Sequence, residues 1–185
     1  MKPKIWLPII IILLLLLSGS QTAAQPPEKP KISVYFSPNG GCTQAILAEI
    51  ANAKVSILMQ AYIFESADIA KALVAAHKKG VKVEVILDRR QRKESYGIAD
   101  FLANSGIPTR IDSAHAYAHN KVLVNDEETV ITGSFNFTKS AEDKNAENLL
   151  VIKDKDIAMK FAENWKEHAR HSPLHKGRPI QGLTK

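Results

Sequence analysis

Between His119 and Asn136 the chain reads H-N-K-V-L-V-N-D-E-E-T-V-I-T-G-S-F-N, which is H-x-K-x4-D-x6-G-S-x-N. Side chains alternate along a strand, so His119 and Lys121 share a face about 6.5–7 Å apart. Ser134 and Asn136 share a face in the same way if the backbone stays extended past Gly133. An imidazole, a fixed cation, a hydroxyl and an amide at one edge suit a phosphodiester. One ring nitrogen attacks phosphorus while Lys121, Ser134 and Asn136 stabilise the nonbridging oxygens as charge builds. No carboxylate pair or aspartate cluster flanks this stretch, so neither a metal nor another cofactor is expected in the chemistry. Asp126, Glu127 and Glu128 read as a turn, a common place for solvated acids.

These residues need a scaffold, and the surrounding pattern alternates strand and helix. Ile32–Phe36 is a short apolar strand stopped by Pro38-Asn39-Gly40-Gly41, and Thr43–Lys54 carries Ile46, Leu47, Ile50 and Ala51 at helical spacing. Val55–Tyr62 reads as a buried strand. Ser66 then caps a helix bearing Ile69, Leu73, Val74 and Ala76, which ends at Gly80. Val81–Leu87 alternates as a strand, and Tyr96–Asn104 is helical. His119–Asn125 and Thr129–Thr132 pair around the acidic turn, and Asn148–Ile152 adds a strand. Asp154–Arg170 places Ile157, Phe161, Trp165 and Ala169 on one helix face. Strand–helix alternation through the first half implies parallel strands with right-handed crossovers. The expected class is α/β, with a mixed, largely parallel sheet flanked by helices.

The same motif resembles the phospholipase D superfamily. The match covers His119, Lys121, Asp126, Gly133, Ser134 and Asn136, followed by Asn145-Ala146-Glu147-Asn148. At average composition, six such positions coincide by chance roughly once in 10⁵–10⁶ chains of this length. More loosely, the likeness runs from Val34 to Trp165, including Tyr35-Phe36-Ser37-Pro38. It is nearest to the small, secreted, single-motif bacterial endonucleases of the superfamily, and implies their α-β-α sandwich.

In that family the catalytic unit uses two such motifs, and this chain carries one. The resemblance therefore implies a homodimer with one active site on the two-fold axis. His119 of one subunit would form a phosphohistidine, and His119 of the other would protonate the leaving oxygen and then activate water. Lys121, Ser134 and Asn136 match phosphate-binding positions. Glu147 matches the acid that orients the nucleophilic ring, Asp126 and Gly133 match structural positions, and the family requires no metal.

Other residues have both a functional and a plain reading. His115 shares parity with Tyr117 and His119 and is a candidate to line the site, with an exposed loop histidine as the alternative reading. His168, His171 and His175 mimic a helical metal site, but Pro173 interrupts the run, so a solvated terminus is expected. Arg89, Arg90, Arg92 and Lys93 follow a parallel strand at its carboxyl end, where ligands bind in open α/β sheets. That loop is a candidate nucleic-acid contact, or a solvated charge run. Cys42, the single cysteine, rules out an intrachain disulfide and reads as an inert thiol, with an intermolecular disulfide as the alternative.

Composition bounds the rest. The 185 residues are 45% hydrophobic and 24% charged, enough for one core and unlike a disordered tail or polytopic membrane protein. A formal charge of +6 favours anionic partners, nucleic acid or lipid headgroups. Lys2 and Lys4 precede the apolar run Ile5–Leu17 and the small residues up to Ala24, the pattern of a secretory signal peptide. The run is short of the roughly 20 apolar residues that span a bilayer. The expected organisation is a signal peptide at 1–24, a proline-rich leader at 25–31, the catalytic domain at 32–172 and a polar tail at 173–185. Cleavage after Ser20, or a retained anchor, are the alternatives. The protein is expected in the periplasm or secreted, with no stable membrane insertion once the signal is removed.

Three functions fit: a non-specific endonuclease on DNA and RNA, a phospholipase D or phosphatidyl-transfer enzyme, and a non-catalytic nucleic-acid-binding module. The second would need an apolar groove or membrane-binding loop, and no long exposed apolar stretch is evident in the sequence. The third would require a lost catalytic position, and none is lost.

Overall fold

A computed structural model describes residues 29–92 and 96–179. The signal peptide, most of the leader, Lys93 and the last six residues lie outside the described residues.

Seven strands form one sheet in the order β1-β7-β6-β5-β2-β3-β4. They are β1 (Lys31–Ser37), β2 (Ser56–Ala61), β3 (Lys82–Asp88), β4 (Thr109–Asp112), β5 (Lys121–Asn125), β6 (Thr129–Gly133) and β7 (Glu147–Lys153). The helices are α1 (Cys42–Asn52), α2 (Ala67–Lys78), α3 (Ile98–Asn104), α4 (Lys139–Asp143) and α5 (Lys155–His171).

Side-chain alternation builds the layers. Ile57, Met59 and Ala61 of β2 and Leu123 of β5 face one side, where α1, α2 and α3 supply Ile46, Ile69 and Leu102. Leu58, Val122 and Val124 face the other, where α5 contributes Ala158, Ala162 and Trp165. The Trp165 indole N–H donates to the Met59 carbonyl at 2.8 Å, satisfying a polar handle that burial would otherwise penalise. Helices on both faces of a sheet are the expected α/β sandwich.

The sheet is mixed, but the expectation of a largely parallel one needs correcting. Only β2–β3 and β3–β4 are parallel. The pairings β1–β7, β7–β6, β6–β5 and β5–β2 are antiparallel. No helix separates β4 from β5, a three-residue turn joins β5 to β6 and permits only antiparallel neighbours, and the longer β6–β7 connection that carries α4 still returns antiparallel. Although α1 follows it, β1 joins the far edge beside β7.

The termini differ from expectation too. Ser172 is buried, the Ile111 N–H donates to the Pro173 carbonyl at 3.0 Å, and the His175 N–H donates to the Thr109 carbonyl at 2.7 Å. Residues 172–178 thus dock against the outer strand β4 and are not a solvated tail. At the opposite edge, Ile32, Val34 and Phe36 are 51%, 50% and 65% exposed. Their parity places them on the α5 face, which α5 leaves uncovered there. No helix of the described residues is long and apolar enough to cross a membrane.

Candidate active site

Along one border of the sheet β5 and β7 begin while β2 and β6 end, and here the motif residues other than Asp126 gather. Lys121, the first residue of β5, pairs with Ala61 at the end of β2. The Tyr62 N–H donates to the Asn120 carbonyl at 2.9 Å, tying down the turn that carries His119. His119 precedes the strand and is exposed, whereas Lys121 is only 7% exposed. The Lys121 Nζ lies 2.9 Å from the His119 carbonyl, 3.1 Å from its Nδ1 and 5.0 Å above the Tyr62 ring. Burial lowers the Lys121 amine below its ordinary value, and the Glu147 charge works against that shift. A desolvated ammonium beside an imidazole is a strong anion attractor because little water screens it.

Ser134 follows Gly133, whose backbone passes so close to β7 that an added Cβ would lie 2.2 Å from the Asn148 carbonyl oxygen. Only glycine fits there, and its absent side chain lets the Ser134 hydroxyl reach Glu147. That hydroxyl donates to Glu147 Oε2 at 2.6 Å and accepts from the Asn148 N–H at 3.0 Å. The Asn145 amide donates to Glu147 Oε1 at 3.2 Å. Glu147 is therefore held by Ser134 and Asn145, and no hydrogen bond among the described residues joins it to His119. Asn136 is half-buried, with its Oδ1 buried and without a partner among the described residues. An orphaned buried amide oxygen costs about 1–3 kcal/mol.

Asp126 plays a different part. With a left-handed φ of 56°, its carboxylate turns back and accepts from the N–H groups of Lys54, Val55 and Ser56, each at 2.8 Å. Burial alone would raise its acid, but these three donors outweigh that and hold it below the usual carboxylate range. It ties the β5–β6 turn to the start of β2, at the far end of the strands from His119. Of the turn acids expected to be solvated, Asp126 is thus the exception, and Glu127 pairs with Lys166 at 2.9 Å.

The basic loop lies beside the site. Asp88, fully buried at the end of β3, accepts from the Arg90 N–H at 2.9 Å and the Ala118 N–H at 2.7 Å. One carboxylate therefore fixes both the Arg89–Gln91 turn and the chain leading to His119. Arg90 donates to the Tyr62 hydroxyl and lies 4.2 Å above the Tyr117 ring. Tyr62 in turn packs on His119, with ring centroids 4.3 Å apart. Arg89 and Arg92 are exposed. Tyr62 was missed as a site residue, although its place just past a strand's carboxyl end marks it.

His115 turns toward Asp112 and not toward Lys121. His168 and His171, expected on a solvated terminus, also face Asp112, and His175 pairs with the buried Asp100 at 2.9 Å. Cys42 is fully buried, and burial pushes its thiol up to about 11, with the Glu142 charge adding to the shift.

The chain matches the family described as cardiolipin synthase, PLD-like domain, over residues 46–169. It is 43% identical to a phospholipase D of Rickettsia felis over 135 residues, which are 73% of this chain and 68% of that protein. This chain belongs to the phospholipase D superfamily. Mitochondrial cardiolipin hydrolase of Xenopus laevis is 31% identical over 127 residues, 66% of this chain and 60% of the hydrolase. Nuc, a phospholipase D family member from Salmonella typhimurium, superimposes with a TM-score of 0.75 at 42% identity, covering 80% of this chain and 99% of Nuc. The seven-stranded sheet with flanking helices is thus the phospholipase D fold, and the chemical class is phosphodiester cleavage.

Proposed function

We propose that this superfamily member is an exported endonuclease that hydrolyses DNA, and RNA with it, through a phosphohistidine on His119. The observation that carries the reading is the cluster of Arg90, Tyr117 and Tyr62, which touches the His119 ring through Tyr62. A cation beside aromatic rings suits a polynucleotide, whose backbone needs charge neutralisation and whose bases stack on rings without regard to sequence. Arg89 and Arg92 extend that cationic edge.

His119 attacks phosphorus, and the bond to the leaving oxygen breaks as that oxygen takes a proton. Lys121, Ser134 and Asn136 neutralise the nonbridging oxygens, and water then displaces the phosphoryl group from the ring. Glu147 holds Ser134 in the isolated chain, and turning toward the His119 ring would let it orient the nucleophile. No metal takes part, because a protonated imidazole supplies the leaving-group proton and Lys121 the countercharge. The second imidazole comes from a second copy of the chain across a two-fold axis. The orphaned Asn136 amide and the apolar strip of Ile32, Val34 and Phe36, which ends beside Glu147, support such a partner.

The same strip favours a second reading, cleavage of phospholipid headgroups, because three exposed apolar side chains beside the site could meet acyl chains although no long apolar stretch is exposed among the described residues. The names of the Rickettsia and Xenopus relatives point the same way. Purified protein should release acid-soluble nucleotides from DNA in excess EDTA, and His119→Ala should not. Choline release from phosphatidylcholine vesicles, or cardiolipin hydrolysis, without DNA cleavage would replace the first reading with the second.

A further inference from the structure

On the α5 side of β4, away from the motif, four side chains converge that the chemistry does not use. Asp112 closes β4 with a fully buried carboxylate. Its Oδ1 accepts from the Ala114 N–H at 3.0 Å in a tight turn. Its Oδ2 is approached by His115 Nδ1 at 3.0 Å, His168 Nδ1 at 3.0 Å and His171 Nε2 at 3.3 Å. The four atoms lie within 4.8 Å of one another.

Hydrogen bonding alone is a poor account of this arrangement. A carboxylate oxygen has two lone pairs, and three ring nitrogens lie within 3.3 Å of this one, His115 Nδ1 being also 3.2 Å from Oδ1. Neutral rings can each donate one N–H, but with centroids 4.9, 5.2 and 5.4 Å apart three imidazoles crowd a single carboxylate. A single cation at their centre would engage all three nitrogens and the oxygen at once. Zinc bonds nitrogen and oxygen at about 2.0–2.2 Å, so neighbouring ligand atoms in a tetrahedral site are roughly 3.3–3.5 Å apart. The Asp112–imidazole separations are already close to that edge, and the imidazole nitrogens, within 4.8 Å of one another, would draw together around the ion.

The geometry points to a structural site for a divalent transition ion of the zinc class, ligated by Asp112, His115, His168 and His171. Three imidazoles and one carboxylate select that class over Mg²⁺ or Ca²⁺, which prefer all-oxygen shells. Four protein ligands leave no open position, so the ion does no chemistry on substrate. Asp112 Oδ1, engaged by the Ala114 N–H, orients the ligating oxygen in the way outer-shell partners do. His115 and His171 are 46% and 36% exposed, which gives the ion a route in. Once bound, it would clamp the chain before His119 to the last turns of α5. Asp88 holds the other end of that loop at Ala118.

The test uses full-length protein without a polyhistidine tag, stripped with chelator and dialysed, then titrated with Co²⁺ and with Zn²⁺. Co²⁺ should bind one equivalent per chain with the intense visible absorption of a four-coordinate ion, and Zn²⁺ should displace it. His168→Gln with His171→Gln should weaken binding by at least about 100-fold, since even outer-shell partners are worth about 10–100-fold. His115→Gln, a loop change that leaves α5 intact, should weaken it by at least about tenfold, and it decides the matter if the helix variant misfolds. His175→Gln, outside the cluster, should bind as wild type does. Failure of the folded wild type to take up Co²⁺, or uptake unchanged in His115→Gln, would overturn the site. None of these readouts depends on which phosphodiester is cleaved.

Discussion

His119 and Asp126 belong to one motif yet do opposite work, and their substitutions should separate cleanly. His119 is exposed, its ring touching Lys121 and Tyr62, so His119→Ala should change stability by less than about 0.5 kcal/mol. Losing the proposed nucleophile should nonetheless lower kcat by at least about 10⁴-fold. Asp126 accepts three backbone N–H bonds and touches no phosphate-binding group. Asp126→Ala should cost about 2 kcal/mol of folding stability and leave kcat of the folded fraction within a fewfold. Urea denaturation beside steady-state rates would check both. A stable but inactive Asp126→Ala protein would contradict the structural role assigned to that carboxylate.

At the scale of elements, the docking of residues 172–178 onto β4 and α3 rests on Asp100. Burial alone would raise its carboxyl, but the Arg178 guanidinium and N–H, the His175 ring and the Gly97 N–H outweigh it and hold the acid well below the usual range. A depressed folded pKa stabilises fully above the unfolded carboxylate value of about 3.9, and the gain is lost as pH falls below it. The urea midpoint of wild type should therefore drop as pH falls from about 4 toward about 2, and Asp100→Asn should start lower and drop less. Equal slopes would show that Asp100 does not carry the effect. This contact was not legible in the sequence, because Asp100 and Arg178 are 78 positions apart and only tertiary docking joins them. The same holds for Asp112 and His168. By contrast, the motif was legible because its spacing within 18 residues reflects strand alternation and one tight turn. Long apolar-patterned helices such as α5 were equally plain. β4 and α4 were missed, being four and five residues long, too short for either periodicity to repeat. Strand direction was misjudged from β5 onward and at β1, since pairing partners depend on the whole sheet.

For the whole molecule, the decisive matter is whether one chain makes a complete site. The chain contains one H-x-K-x4-D, and displacement at phosphorus needs a nucleophile and, in the same step, an acid for the leaving oxygen. The attacking imidazole is consumed as it bonds to phosphorus. His115, the other histidine near in sequence, is engaged at Asp112. A symmetric pair of His119 residues meets the need with one ring neutral and one protonated, so the pH–rate profile should be bell-shaped and belong to the pair. Closed two-fold dimers are the commonest oligomers, and the apolar strip of β1 ends at the site border. Wild type should therefore sediment as a dimer, and subunit exchange with inactive His119→Ala chains should poison it. Each mixed dimer lacks one imidazole, so activity should fall as the square of the wild-type fraction. A strictly linear fall, or a fully active monomer, would mean that a single chain supplies both the nucleophile and the acid.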